Sequence, residues 1–318
     1  MEKQELIIIG GGPAGLTAAV YAARYQIKTT VIAKETGGLA ARAHKICNFP
    51  SYIEISGFEL MQKMVNQVKH LKVPILYETV TDIRKSQEGF DVFTNSDKVY
   101  KSDFVIFATG TKWKSLGVKG EVKFLGKGVS YCATCDGPFF KDKKVAVVGG
   151  GDAALTSALL MTEYAKKVYQ IYRRDRFFRP EPAWIQLVKK NQKIQIIFND
   201  EITQINGDKF VTGINLKSGE NLDLDGVFIE IGSKPDIAVV KNLGLITQKD
   251  YIVTDNNQET NIEGFYAAGD ITNNKLKQII NAASQGSIAA YNVYLEIQKK
   301  QAKREEYVYA KSKKEKSG

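Results

Sequence analysis

The 318-residue sequence predicts an α/β fold built as two three-layer domains, with the second inserted into the first. Three observations carry this reading. An apolar strand, a glycine-rich turn and a small-residue helix run from Leu6 to Ala23, and the same pattern recurs from Lys144 to Tyr164. A late strand, Gly264 to Asp270, with a long helix after it, then returns the chain to the first unit.

Leu6-Ile7-Ile8-Ile9 reads as a buried strand closed by Gly10-x-Gly12-x-x-Gly15. Gly10 permits a tight turn, and Gly12 lets backbone approach a pyrophosphate. The helix opening at Leu16 aims N–H donors and the positive end of its dipole at the same place. A second strand, Thr29 to Ala33, is followed by Glu35, about 20 residues past Gly15, where a carboxylate accepts hydrogen bonds from a ribose diol. A helix over Phe58 to Lys72 puts His70 on the surface. Asp103 to Gly110 is a further buried strand ended by a tight turn.

The second unit repeats the design with strand Lys144 to Val148, turn Gly149-x-Gly151-x-x-Ala154 and helix Ala153 to Tyr164. Its next strand, Val168 to Tyr172, ends in Arg173-Arg174 where a carboxylate would favour an unphosphorylated ribose. Two guanidiniums suit a 2′-phosphate, so NADPH is favoured over NADH. Val227 to Gly232 is the counterpart of Asp103 to Gly110. Gly264 to Asp270 delivers Asp270 to the carboxyl edge of the sheet, in reach of sugar or ribityl hydroxyls, and the helix from Lys277 to Gln298 follows. These pieces assemble into two Rossmann-like domains. An FAD-binding domain comprises residues 1–114 and 237–298, and an NAD(P)-binding domain, 115–236, is inserted into it through passages near Trp113 and Pro235.

Cys132-Ala133-Thr134-Cys135-Asp136 lies shortly before the second glycine turn. A C-x-x-C at a helix start brings two sulfurs within bonding reach and favours thiolate there, and Asp136 adds a group able to pass a proton. A zinc site is the rival: His44-x-x-Cys47 with the second pair would make a Cys3His set. Taken alone, Cys47 reads as a small buried hydrophobe. Three cysteines do not make a disulfide scaffold.

The net charge of +10 is unevenly spread. Residues 299–318 hold eight basic and three acidic side chains, half of the net charge, with almost no apolar pattern. They read as a solvated, flexible tail or as a docking segment for an acidic partner or polyanion, a distribution that argues against a nucleic-acid reading of the whole charge. Leu6 to Ile9 is too short for a signal-peptide core, and no apolar stretch nears the roughly 20 residues of a membrane span, so a soluble cytoplasmic protein is expected.

The order of Gly10-Gly11-Gly12-Pro13-Ala14-Gly15, Gly37-Gly38, Ala108-Thr109-Gly110, Cys132-Ala133-Thr134-Cys135-Asp136, Gly149 to Ala154, Arg173-Arg174 and Ala268-Gly269-Asp270 resembles the low-molecular-weight thioredoxin reductases across residues 5–298. The resemblance implies FAD at Gly10, Gly12, Pro13, Ala14, Gly15, Glu35, Gly38, Leu39, Asn48, Val80, Ala108, Thr109, Gly110, Gly269, Asp270, Lys277, Gln278 and Ile279. It implies NADPH at Gly149, Gly151, Asp152, Ala153, Ala154, Arg173, Arg174, Arg179 and Gly232. It also implies hydride transfer from NADPH to FAD, then reduction of a Cys132–Cys135 disulfide with Cys135 toward the flavin. Cys132 then attacks the disulfide of thioredoxin or a glutaredoxin-like protein, with Asp136 as acid and base, in a homodimer. A relative fed by ferredoxin is the second enzyme reading, and a zinc-clipped interaction protein is the reading from another class. The dithiol and the nicotinamide site share one domain and need the same flavin region, where reacting atoms approach to about 3–3.5 Å, so that domain is expected to swivel.

Two departures stand out. Leu39 occupies a position usually filled by glutamine. Tyr172 to Arg179 carries one residue more than the usual phosphate-binding stretch, leaving either Arg176 or Arg179 as the third phosphate ligand.

Overall fold

The computed structural model describes residues 3–177 and 180–316. The chain opens with β1 (Gln4–Gly11), α1 (Pro13–Arg24) and β2 (Thr29–Thr36). After the segment 37–56 come α2 (Gly57–His70), β3 (Ile75–Leu76), β4 (Val80–Ser86), β5 (Gly89–Thr94), β6 (Val99–Phe107) and β7 (Thr111–Trp113). The middle of the chain supplies β8 (Val129–Ser130), α3 (Ala133–Asp136), β9 (Lys144–Val148), α4 (Asp152–Tyr164), β10 (Lys167–Tyr172), α5 (Pro182–Lys190) and β11 (Ile194–Phe198). Next are β12 (Ile202–Gly207), β13 (Val211–Leu216), β14 (Asn221–Asp223), β15 (Gly226–Ile229) and β16 (Ser233–Pro235). The return passage holds β17 (Thr247–Gln248), β18 (Tyr251–Ile252), β19 (Phe265–Ala267) and α6 (Ile279–Lys316).

Two compact units result. The first comprises Met1–Ala41, Glu59–Thr111 and Pro235–Gly318, and the second comprises Arg42–Phe58 and Lys112–Lys234. The chain thus leaves the first unit at Arg42 and re-enters it at Glu59, an excursion that the sequence reading had kept within residues 1–114. The two later passages between the units are β7 and β16, which pair with each other as a two-stranded sheet.

In the first unit the sheet order is β3-β2-β1-β6-β5-β4, with β19 alongside the end of β6. β1, β2, β3, β6 and β19 are parallel, while β4 and β5 form an antiparallel extension. Strict alternation along β1 explains the layering. Leu6 and Ile8 face a core with Leu16 and Ala18 of α1, Val68 of α2 and Val293 of α6. Ile7 and Ile9 face a second core with Ile83, Phe90, Val240 and Ile252. α1 and α6 approach closely because Gly286 of α6 has no side chain: a Cβ there would lie 2.1 Å from the Ala14 carbonyl oxygen. The helix α6 corrects an expectation, since it continues past Gln298 to Lys316. Its extension is rich in Lys, Glu, Gln and Ala, which favour helix even without an apolar face.

One polar knot holds the antiparallel edge of this unit. The Glu78 carboxylate accepts from the Thr94 and Ser96 hydroxyls at 2.6 and 2.7 Å, and from Lys98 Nζ and Tyr100 OH, each at 3.0 Å. The Thr94 and Ser96 hydrogen bonds foremost lower its pKa from 4.5 to about 2. A carboxylate titrating lower in the folded than in the unfolded chain stabilises the fold above its unfolded pKa, and that stability is lost as pH falls through the folded value. Glu78→Gln is therefore expected to lower the denaturation midpoint at neutral pH, with the gap to wild type closing as pH falls from about 4.5 toward about 2. Parallel pH–stability curves for the two proteins would contradict this account.

In the second unit a parallel sheet, β11-β10-β9-β15-β8, is covered on one face by α3, α4 and α5 and on the other by the antiparallel sheet β12-β13-β14. The positions of β9, β10 and α4 agree with the sequence expectation to within a residue, β15 ends three residues earlier than expected, and the antiparallel layer was not expected.

Candidate active site

At the carboxyl edge of the first unit's sheet, the turn between β1 and α1 is shaped by three glycines with different duties. Gly10 has φ +118°, and a Cβ there would strike the Ala108 carbonyl oxygen at 2.3 Å. A Cβ on Gly15 would lie 1.9 Å from the Gly10 oxygen, so α1 sits hard against the turn. Gly12, by contrast, faces open space, with nothing within 4 Å of an added Cβ, as close approach of a pyrophosphate to backbone requires. Pro13 occupies the first turn of α1, where its missing N–H costs no hydrogen bond.

Apart from Val80, which pairs with Thr94 toward the start of β6, most of the other residues expected around FAD follow strands at that edge. Gly38 and Leu39 lie in a 3-10 turn after β2, with Gly12 Cα 3.7 Å from a Cβ built on Gly38. Glu35 ends β2 on the surface, Ala108-Thr109-Gly110 follow β6, and Val80 opens β4. Gly269 and Asp270 follow β19, where a Cβ on Gly269 would lie 3.0 Å from Ala14 Cβ. Lys277, Gln278 and Ile279 lead into α6. Asn48 is the exception: it falls in the excursion grouped with the second unit, and its amide donates to Glu181 Oε1 at 3.3 Å.

Burial holds the Asp270 carboxyl above the usual carboxylate range, partly offset by Lys277. The same burial lowers the Lys277 ammonium, partly offset by Asp270. Lys277 Nζ donates to the carbonyls of Asp270 and Thr272 at 3.1 and 2.5 Å, bracing the loop that carries the carboxylate. Gln285, not singled out from the sequence, is a second brace. It is 4% exposed, and its Oε1 accepts from Gly269 N–H at 2.8 Å. A polar residue on the inward face of an otherwise apolar helix was the available signal.

In the second unit, β9 and α4 carry the matching turn. Gly149 has φ +142°, Gly151 faces open space, and fully buried Ala154 takes the third position. Asp152 and Ala153 open α4, and Asp152 Oδ1 accepts from Glu181 N–H at 2.7 Å. Gln170, also missed, is fully buried in β10 and donates to the Gly149 carbonyl at 2.7 Å, fixing the turn from below. Arg173, Arg174 and Arg176 are exposed just beyond β10, and Gly232 turns at φ +89° after β15. Arg179 lies outside the described residues.

Cys132 and Cys135 are bonded as a disulfide, with Cα atoms 5.3 Å apart, across the single turn of α3. Cys132 is 7% exposed and caps α3, accepting from Cys135 N–H at 3.2 Å, while Cys135 is exposed. Ser130 Oγ accepts from Cys132 N–H at 3.0 Å, and Asp136 N–H donates to the Cys132 carbonyl at 3.1 Å. The residue before the pair is held just as firmly. Tyr131 OH donates to buried Glu121 at 2.5 Å and its ring stacks 5.9 Å from Trp113, over which Arg42 lies at 4.5 Å. Glu121 also accepts the N–H groups of Leu116 and Gly117.

This arrangement weighs against the zinc rival and corrects the reading of Cys47. Bonding between Cys132 and Cys135 removes both as thiolate ligands for zinc, and no metal-binding group of His, Cys, Asp and Glu occurs among the described residues. Cys47 is exposed, because buried Ile46, bridged to Ile55, takes the inward position beside it.

Comparison with known proteins agrees with this chemistry. The family described as pyridine nucleotide-disulphide oxidoreductase matches residues 4–286. A thioredoxin reductase of Listeria monocytogenes is 38% identical over 295 residues, 91% of this chain and 92% of its own. Among solved structures, Lactococcus lactis thioredoxin reductase (FR conformation) superposes with TM-score 0.88 at 35% identity, covering 92% of this chain and 100% of that one. The T. acidophilum thioredoxin reductase gives 0.88 at 39%, covering 93% and 99%.

Proposed function

The chain belongs to the pyridine nucleotide-disulphide oxidoreductase family, and from that premise we infer that it is a thioredoxin-disulfide reductase using FAD and NADPH. The observation that carries the reading is the Cys132–Cys135 disulfide, built into the same unit as the second dinucleotide turn. When bound, FAD supplies the two-electron carrier between nicotinamide and disulfide.

The open cradle at Gly12 and the buried Asp270 beside Lys277 fit that group in the first unit. In this reading Gly10 to Gly15 shape the pyrophosphate seat, Glu35 holds ribose hydroxyls, and Asp270 holds the sugar or ribityl chain. Val80, Thr109 and Lys277 to Ile279 line the remainder. Asn48 enters the reading from the resemblance alone. The Gly149 to Ala154 turn and Gly232 receive NADPH, with Arg173 and Arg174 on its 2′-phosphate. Cys135 faces the flavin, Cys132 attacks the thioredoxin disulfide, and Asp136 passes the proton. The reading includes rotation of the second unit, since hydride delivery and disulfide reduction compete for one flavin region. Covalent cross-linking of the two units is expected to stop turnover. It also includes a homodimer in the cytoplasm; among the described residues no helix is long and apolar enough to cross a membrane.

Anaerobic mixing with NADPH alone is expected to bleach the flavin. Bleaching that requires reduced ferredoxin would replace the donor. Arg173→Ala with Arg174→Ala is expected to raise KM for NADPH about 10–100-fold, as loss of charge-assisted hydrogen bonds does, with kcat and the KM for NADH nearly unchanged. Equal losses with both nucleotides would remove the arginines from the 2′-phosphate.

A further inference from the structure

The arginines beyond β10 sit in a segment closed on itself by aromatic rings that take no part in hydride or thiol transfer. β10 and β11 run parallel with Tyr172 opposite Phe198, so both side chains stand on one face of the sheet. Phe177, past the arginines, returns to that face. Its ring stacks on Tyr172, with centroids 5.6 Å apart and planes at 23°, and meets the Phe198 ring edge-on at 4.9 Å and 64°. Phe177 is 8% exposed and packs in the core that α4 and α5 cover.

Between the two stacked rings, residues 173–176 bend outward, and Arg173, Arg174, Asp175 and Arg176 are all exposed. Two backbone bonds tie the near side of the bend. Asn199 N–H donates to the Arg174 carbonyl at 3.1 Å, and Asp200 N–H to the Tyr172 carbonyl at 3.4 Å. Asn199 does so from the left-handed region, φ +57°, which asparagine adopts more readily than most residues. The ring that holds Phe177 also touches the glycine turn. A Cβ on Gly150 would lie 2.3 Å from the Tyr172 ring, so Tyr172 reaches from that turn to the arginine bend.

We propose that Phe177 is a specificity-determining positioning residue: by stacking on Tyr172 it holds Arg173, Arg174 and Arg176 together as one binding group for the 2′-phosphate of NADPH. The proposal rests on the reading of Arg173 and Arg174 given above and adds Arg176 to it. Three guanidiniums so close in the chain repel one another, with Asp175 between them as a partial offset. A free loop would spread them, and nucleotide binding would then have to gather them. A phosphate dianion is bound most tightly when the guanidiniums that donate to it are already gathered. Burial of Phe177 fixes the far end of the bend, as the end of β10 fixes the near end. Arg176, next to Phe177 in sequence, depends most on that anchor. The unphosphorylated ribose of NADH makes no such demand, so the clasp separates the two nucleotides.

The test is the binding of NADP+ and NAD+ to oxidised, FAD-loaded protein by isothermal titration calorimetry, with KM and kcat for NADPH and NADH measured beside it. Phe177→Ala is expected to weaken NADP+ about fivefold to thirtyfold, the cost of ordering about one backbone residue, and to leave NAD+ within about twofold. KM for NADPH should rise in parallel while kcat holds. Phe177→Tyr, which keeps the stacked ring, should return NADP+ affinity to the wild-type value. Arg176→Ala, an exposed change that the fold tolerates, covers the case of an unfolded Phe177→Ala protein. It is expected to weaken NADP+ about tenfold with NAD+ unaffected. NADP+ preference retained in Phe177→Ala, equal losses with both nucleotides, or wild-type NADP+ affinity in Arg176→Ala would overturn the proposal and leave the reductase reading intact. A wild-type protein that binds NADP+ no better than NAD+ would overturn both the proposal and the 2′-phosphate reading of Arg173 and Arg174.

Discussion

Cys132→Ser is expected to abolish thioredoxin reduction, lowering turnover by about 10³-fold or more, while NADPH still bleaches the flavin. The asymmetry follows from where the sulfur sits. Cys132 is nearly enclosed, held by Ser130, by the α3 turn and by the stacked Tyr131, so a serine inherits the same backbone with little disturbance. A hydroxyl cannot form the S–S bond through which electrons leave, and it is a far poorer nucleophile at neutral pH than a thiolate. The two glycine turns proposed to seat the nucleotides are elsewhere in the chain and are untouched. Paired assays of NADPH-driven flavin bleaching and thioredoxin-dependent NADPH consumption separate the two effects. Retained thioredoxin turnover in the serine protein would remove Cys132 from the electron path.

Gly15→Ala is expected to cost the protein its flavin. The added methyl would sit 1.9 Å from the Gly10 oxygen, well inside contact distance, and the obstacle is backbone. The alternative is for α1 to move away, but it is clamped from behind by α6 at Gly286 and by the stacked Tyr25 and Tyr294 rings, 4.7 Å apart. Overpacking of this kind costs about 1–3 kcal/mol, and here the strain falls on the turn proposed to seat the pyrophosphate. Absorbance of the purified protein at the flavin band, with circular dichroism to show that the fold survives, measures the effect. Full flavin occupancy in Gly15→Ala would contradict the tight packing described for α1. Gly12→Ala makes an instructive contrast: its methyl meets no protein atom, so any loss of flavin reports on the cofactor's own approach.

Local sequence made much of this legible, and the physics explains where it stopped. The two strand–turn–helix units were readable because turn glycines, small helix-packing residues and apolar strands lie within about 30 residues of each other. Asp270 and Arg173-Arg174 are candidates because a strand's carboxyl end is where such folds bind ligands. What went unread depends on partners distant in sequence. Gln285 and Gln170 hold Gly269 and Gly149 by hydrogen bonds, yet in sequence each is one polar residue in an apolar element. The excursion from Arg42 to Phe58 carries no composition shift that announces its grouping with the second unit. Cys47 was misplaced because a small sulfur side chain suits either side of a bridge, and only the Ile46–Ile55 pairing decides which residue turns inward. The end of α6 was set too early because an absent apolar stripe marks only where packing stops, while the charged residues beyond it favour helix.

The central claim is that electrons leave this protein through Cys132–Cys135 to a thioredoxin. An anaerobic titration of the flavin-loaded protein with NADPH, followed by addition of oxidised thioredoxin, tests it most directly. The account predicts that the yellow colour bleaches with NADPH and returns when thioredoxin disulfide is added, with free thiols appearing on thioredoxin. Flavin that NADPH reduces but thioredoxin never reoxidises would contradict it.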